Sequence, residues 1–237
     1  MFGFGEITDT TNVQNLNQAA LKWSLGFGGG LAKKGKPTLN DPATVQGIRF
    51  YKELYDAPYT PKGAGSAQLR ELMWEGKLAM WIDGAWLFGM IQGKNPELYK
   101  HIDAVMCPTP TKAAIIGGAY WGIGNKPKDL QATWKVMNSL NSPLWQQKYL
   151  EMTTQIPGQS GMVTEGFARK NPWIKVFDEA ALKYGAGHGY IPEGFDLVAE
   201  QYHQIVADYL SRILARNAPI EKTLDALQAE LVKTFVK

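Results

Sequence analysis

Apolar positions recur every three or four residues along most of this chain, and short apolar runs interrupt that rhythm. After Asn12, a residue suited to capping a helix, Val13, Leu16, Ala20, Trp23 and Phe27 share one helical face, and Gly28, Gly29 and Gly30 end it. Asp41 with Pro42 opens a second helix that buries Val45, Ile48, Tyr51 and Tyr55. A short helix carrying Leu69, Leu72 and Met73 stops at Gly76, and Leu78 to Ile82 reads as a strand. Ile102 to Met106 and Ile115 to Ile123 read as two more, joined by the stiff, turn-rich CPTPT.

Further on, Asp129 caps a helix with Leu130, Trp134, Met137 and Leu140, and Ser142-Pro143 starts another through Leu144, Trp145 and Tyr149. Asn171-Pro172 opens a helix through Trp173, Val176, Phe177 and Ala180. A long helix is predicted from about Asp196 to Leu214, and the last repeats Ile220, Leu224, Leu227, Leu231 and Phe235 at spacings of three and four. Strands among many helices, without internal repeats, predict an α/β fold.

Composition narrows the class of partner. The 237 residues are 45% hydrophobic and 11% aromatic, enough for a packed core. A net charge of +3 from 25 basic and 22 acidic residues is spread without long blocks of one sign, so neither nucleic acid nor a membrane surface is expected as a partner. The lone Cys107 reads as a small buried hydrophobe. No apolar run is long enough to span a bilayer, and the opening MFGFGEITDTTN lacks the blocks of a secretion signal, so no leader is expected within it.

Catalytic motifs fail on their own mechanics. Gly30 to Lys36, GLAKKGK, has the spacing of a phosphate-binding loop, but Pro37 stands where a hydroxyl for magnesium belongs, and the stretch reads as a lysine-rich turn. The glycines of MFGFGE and GFGGG follow no evident strand and read as turns as well. His101, His188 and His203 are far apart and outside any metal-binding spacing, so neither metal nor cofactor is expected. Gly158-Gln159-Ser160-Gly161 is one residue short of a nucleophile elbow, and Asp178-Glu179 reads as a solvated helix face.

Aromatic content is what stands out. Eight Trp and ten Tyr exceed what a core of this size requires, and such rings near loops suit the C–H faces of pyranose sugars, with Asp, Asn or Gln beside them for hydroxyls. Asp83 and Trp86, at the carboxyl end of the strand from Leu78, fit that pattern, and so do Tyr120 and Trp121 after Gly117-Gly118. Trp74 and Trp81 lie on apolar faces and read as core. Two alternatives remain open at this point: a carbohydrate-active enzyme, which needs a carboxylate pair about 5 to 10 Å apart, and an interaction module or fragment whose cleft binds nothing.

The strings KPTLNDPATVQGIRFYKELY, LRELMWEGKLAMWIDGAWLFGMI, GGAYWGIGNKPKDLQATWKVMNSLNSPLWQQKYLEMTTQIPGQSGMV and APIEKTLDALQAELVKTF, in that order, resemble the extracellular solute-binding proteins of sugar ABC transporters, the maltose-binding-protein-like family 1. The resemblance implies a type II periplasmic-binding-protein-like fold. It implies that residues 1–107 and 165–237 form the second, C-terminal lobe and that 108–164 is a return segment of a first lobe that is mostly missing. Capture of a sugar between two lobes, without any bond made or broken, is the implied function. Trp86 would be a stacking platform, Asp83 a hydroxyl acceptor, Tyr120 and Gln159 cleft-facing groups, and Tyr202 a second stacking aromatic. Trp23 would be a further contact, although its helical stripe suits the core equally. The implied partners are a sugar or oligosaccharide and the membrane permease, with self-association through the incomplete first lobe. The implied location of the full-length form is periplasmic, or extracellular as a lipoprotein.

Overall fold

A computed structural model describes residues 1–117, 121–186 and 190–236. The chain divides into two compact units, one of residues 1–82, 107–116 and 180–237, the other of residues 83–106 and 117–179.

The larger unit is built on helix pairs. Asn12 caps α1 (Val13–Gly26) by accepting from the Asn15 amide, and α2 (Pro42–Asp56) starts on proline as predicted. These helices approach so closely at Gly47 that an added Cβ would stand 2.6 Å from the Trp23 carbonyl oxygen and 2.7 Å from Ser24 Cα. Only hydrogen fits there. A parallel pair, β1 (Phe2–Gly5) and β4 (Leu78–Trp81), aligns Phe2 with Leu78 and Phe4 with Met80. The helix α3 (Ser66–Trp74) leads into β4 through Gly76 at φ +70°.

FGFG, at Phe2–Gly5, is therefore a strand and not the predicted turn. Gly5 serves packing: a Cβ there would lie 2.7 Å from Leu78 and 3.0 Å from the Trp81 ring. The lysine-rich turn does form, as Lys34 and Gly35, both at positive φ, between the short strands β2 (Ala32–Lys33) and β3 (Lys36–Pro37).

Helices α10 (Ala199–Arg216) and α11 (Ile220–Phe235) complete this unit, α10 preceded by a 3₁₀ turn at Asp196–Val198. Leu16, Ala20, Ile48, Tyr51, Val206, Leu210, Ile213, Leu224, Leu227 and Leu231 are buried together, as the spacing of three and four predicts. Asn17 ties α1 to α10, its amide donating to the Val13 and His203 carbonyls at 2.9 Å each.

Two predicted strands differ in the structure. Residues 102–106 alternate in burial but form no ladder, and the described part of the strand predicted over Ile115 to Ile123 contributes only Ile115 to a ladder, in β5 (Ala114–Ile115), parallel to β6 (Gly185–Ala186). Alternation reports which side of a segment is covered; a strand also needs a neighbour for its amides and carbonyls.

The smaller unit is helical: α4 (Trp86–Lys94), α5 (Pro96–Tyr99), α6 (Leu130–Leu140), α7 (Pro143–Thr153), α8 (Glu165–Lys170) and the start of α9 (Ile174–Tyr184). Phe88 stacks on Trp173 with ring centres 4.1 Å apart, Phe177 meets both edge-on, and Leu150 and Ile174 close the cluster. The Trp173 indole donates to the Tyr99 hydroxyl, which donates to Asn171, each at 3.0 Å. Asp129 caps α6 through the Ala132 amide. No helix among the described residues is long and apolar enough to cross a membrane.

Candidate functional site

Beyond β4 the chain turns through Asp83, Gly84 and Ala85 into α4. Ala85 and Phe88 are buried in the smaller unit's cluster and root this turn there, leaving Asp83 and Trp86 half-buried. The Thr154 hydroxyl holds the same turn, donating to the Ala85 carbonyl at 3.0 Å and accepting from the Gly89 amide at 3.2 Å. Trp86 folds back on Gly84, where an added Cβ would stand 2.1 to 2.4 Å from three atoms of the indole. The structure thus leaves a half-buried indole three residues along the chain from a half-buried carboxylate, residue types that can take the C–H face and a hydroxyl of a small polar ring.

Gln159 lies in the loop after α7. It is exposed, and its amide donates to the Asn141 carbonyl between α6 and α7. Tyr120 lies outside the described residues. The remaining two candidates belong to the core of the larger unit, and their assignment as ligand platforms is corrected. Trp23 is 3% exposed, wedged between Phe4 and Phe50, with its indole N–H donating to Glu6 Oε2 at 2.7 Å. Tyr202 has no exposed surface; it packs on Phe195 and Phe235 and donates to the Leu31 carbonyl at 2.6 Å. Burial holds its hydroxyl un-ionised far above the usual tyrosine range. A ring covered on both faces has none left for a sugar.

Sequence reading passed over Glu6. At the end of β1 it is fully buried, and its carboxylate accepts from the Ile7 amide at 2.8 Å, from Lys22 at 2.9 and 2.8 Å, and from Trp23. Lys22 also lies 4.7 Å from the centre of the Trp23 ring. A lone acid after an aromatic-glycine run carries no periodic signal; its position at a strand's carboxyl end was the one available clue.

A concavity of about 280 Å³ in the larger unit, lined in part by Leu25, Leu31, Tyr190 and Glu193, includes none of the six candidate residues. Among the described residues no three His, Cys, Asp or Glu side chains gather as a metal ion would require.

The fold resolves into a known class when set against solved structures. An ABC transporter solute-binding protein from Thermotoga lettingae bound with α-D-tagatose superposes with a TM-score of 0.81 at 18% identity, covering 98% of this chain and 59% of that one. Maltose-bound MalE3 of T. maritima gives 0.81 at 17%, covering 98% and 60%. UgpB from Mycobacterium tuberculosis in complex with glycerophosphocholine gives 0.75 at 20%, covering 97% and 57%. The architecture is that of type II periplasmic-binding-protein-like α/β proteins, and the chain spans about three fifths of the length of these structures. The family model of bacterial extracellular solute-binding proteins matches residues 4–176, and the chain belongs to that family. No curated protein matches it.

Proposed function

We propose that this chain is the substrate-binding component, or a part of it, of an ABC transporter for carbohydrate uptake. It captures a sugar by stacking on Trp86 and by hydrogen bonding of a hydroxyl to Asp83. The observation that carries this reading is the half-buried Trp86 indole at the start of α4, three residues after that half-buried carboxylate. Family membership supports it, and so do the bound molecules of the similar structures: tagatose, maltose and glycerophosphocholine.

In this reading Tyr120 and Gln159 add polar contacts to the same ligand. No bond is made or broken, the loaded protein hands its sugar to a membrane permease, and the whole protein works outside the cytoplasm, in a periplasm or as an extracellular lipoprotein. Residues 1–107 and 165–237 act as the second lobe, 108–164 as a return segment of the first, and copies of the chain self-associate through that segment.

The test is a titration of intrinsic tryptophan fluorescence with monosaccharides, oligosaccharides and glycerophosphodiesters, on the parent chain and on Trp86→Ala. A saturable shift in the parent that disappears in the variant supports the reading. Equal affinity in both removes Trp86 from the site, and no saturable shift with any sugar removes carbohydrate capture from this chain.

A further inference from the structure

Thr154 ends α7 in a conformation that its own side chain resists. Its φ of 58° lies in the left-handed region, where a helix end usually carries glycine or asparagine. Lys34, Lys112 and Asn217 are the other described non-glycine residues at positive φ, and Thr154 alone of the four is branched at Cβ. For a branched residue that backbone is an outlier, and strain of this kind persists where the surroundings over-determine it.

What surrounds Thr154 is the turn that carries Trp86. The side chain is 6% exposed, and its hydroxyl stands between the Ala85 carbonyl at 3.0 Å and the Gly89 amide at 3.2 Å. Those two groups are the acceptor and the donor of the first four-residue rung of α4. The Thr153 carbonyl, at 2.7 Å, shares the hydroxyl proton. Leu87 and Phe88 donate three residues back, to Gly84 and Ala85, which is the winding of a 3₁₀ turn. A hydroxyl seated in that rung fixes how the turn is wound, and Trp86 is the first helical residue of α4.

Gly89 makes the room for it. An added Cβ would stand 2.8 Å from Thr154 Oγ1 and 3.2 Å from Cγ2. Glycine inside a helix is unfavourable, so two local costs, at Gly89 and at Thr154, meet in one contact. Without the hydroxyl the Gly89 amide and the Ala85 carbonyl can pair directly, which strands neither and moves Trp86 instead.

We propose that Thr154 is a positioning residue for the ligand site: its hydroxyl, wedged into the first rung of α4, sets the orientation of Trp86 and thereby the affinity for sugar, without touching the sugar. This rests on the reading of Trp86 as a stacking platform.

The test compares Thr154→Val, which keeps shape and strain but loses the hydroxyl, with Thr154→Ser, which keeps the hydroxyl, and with Gly89→Ala, which pushes it out. Near-ultraviolet circular dichroism is read without sugar, in the parent and in a Trp86→Phe background, and affinity is read by calorimetric titration with monosaccharides and oligosaccharides. Thr154→Val and Gly89→Ala should each shift the part of the spectrum that the Trp86→Phe background lacks, with far-ultraviolet circular dichroism retained. Each should weaken binding by about fivefold or more, and the double variant should be no weaker than the weaker single one, because both break the same bridge. Thr154→Ser should match the parent in spectrum and affinity. Parent-like spectra or affinities in both Thr154→Val and Gly89→Ala overturn the proposal. A Thr154→Ser variant as weak as Thr154→Val overturns it too, since the hydroxyl is then not the cause, and so do additive losses in the double variant. A parent that binds no sugar removes the stacking reading, while the spectra still decide whether Thr154 orients Trp86.

Discussion

The indole of Trp86 lies so close to Gly84 that no residue with a Cβ fits at position 84 without moving the ring. Gly84 is not in the left-handed region, so its backbone accepts alanine and the whole conflict falls on the indole. Gly84→Ala is expected to swing Trp86 out of place, changing near-ultraviolet circular dichroism in the absence of any sugar and weakening sugar binding at least tenfold. An unchanged near-ultraviolet spectrum would show that the ring does not rest on Gly84.

Glu6 should matter to stability more than any exposed acid. Glu6→Ala strands the Trp23 N–H in the core and leaves Lys22, whose side chain is 16% exposed, without its counter-ion. The loss should be about 3 kcal/mol, the low end for breaking a buried pair because Lys22 reaches some water. Glu6→Gln keeps an acceptor for the indole and should lose less. Urea denaturation followed by fluorescence ranks the two variants, and equal midpoints would contradict the network.

Tyr202→Phe separates a core role from a ligand role. Removing the hydroxyl leaves the Leu31 carbonyl short of its donor and should cost about 1–3 kcal/mol. Because the ring is fully buried, packed on Phe195 and Phe235, the sugar-induced fluorescence shift should keep its midpoint. A large loss of affinity without loss of stability would return Tyr202 to the site.

Acid should weaken the larger unit through His203. Burial lowers its pKa below the usual histidine value, a hydrogen bond to the Tyr190 backbone works the other way, and Nε2 is buried with no partner among the described residues. The folded state therefore binds its proton less readily than the unfolded chain, so stability is full above about pH 6.5 and falls as pH drops toward the lowered value. His203→Gln should flatten that part of the curve. Urea midpoints measured from pH 7.5 down to 5 check it, and parallel curves for parent and variant would rule it out.

Helices were the legible part of this fold. Asn12, Asp129 and the prolines at 42 and 143 mark helix starts by local chemistry, and stripes such as Leu224, Leu227 and Leu231 bury as their spacing requires. Strands were less legible, because β1 is half glycine and owes its ladder to β4, more than seventy residues away. Residues 102–106 show the opposite failure, a strand-like alternation with no partner strand. In the candidate site, Asp83 and Trp86 could be paired from sequence because one short turn holds both. Tyr202 could not be judged that way, since its cover comes from Phe195, Phe235 and Leu31 on other elements.

By itself, then, the sequence determined the α/β class, the helix starts, the turn that presents Trp86 and the resemblance to a solute-binding family, all of which depend on residues near one another in the chain. Tertiary structure alone decided that Trp23 and Tyr202 are core and that Glu6 is a buried anchor. Burial and hydrogen-bond satisfaction depend on what distant segments bring to a side chain, and no local pattern encodes that.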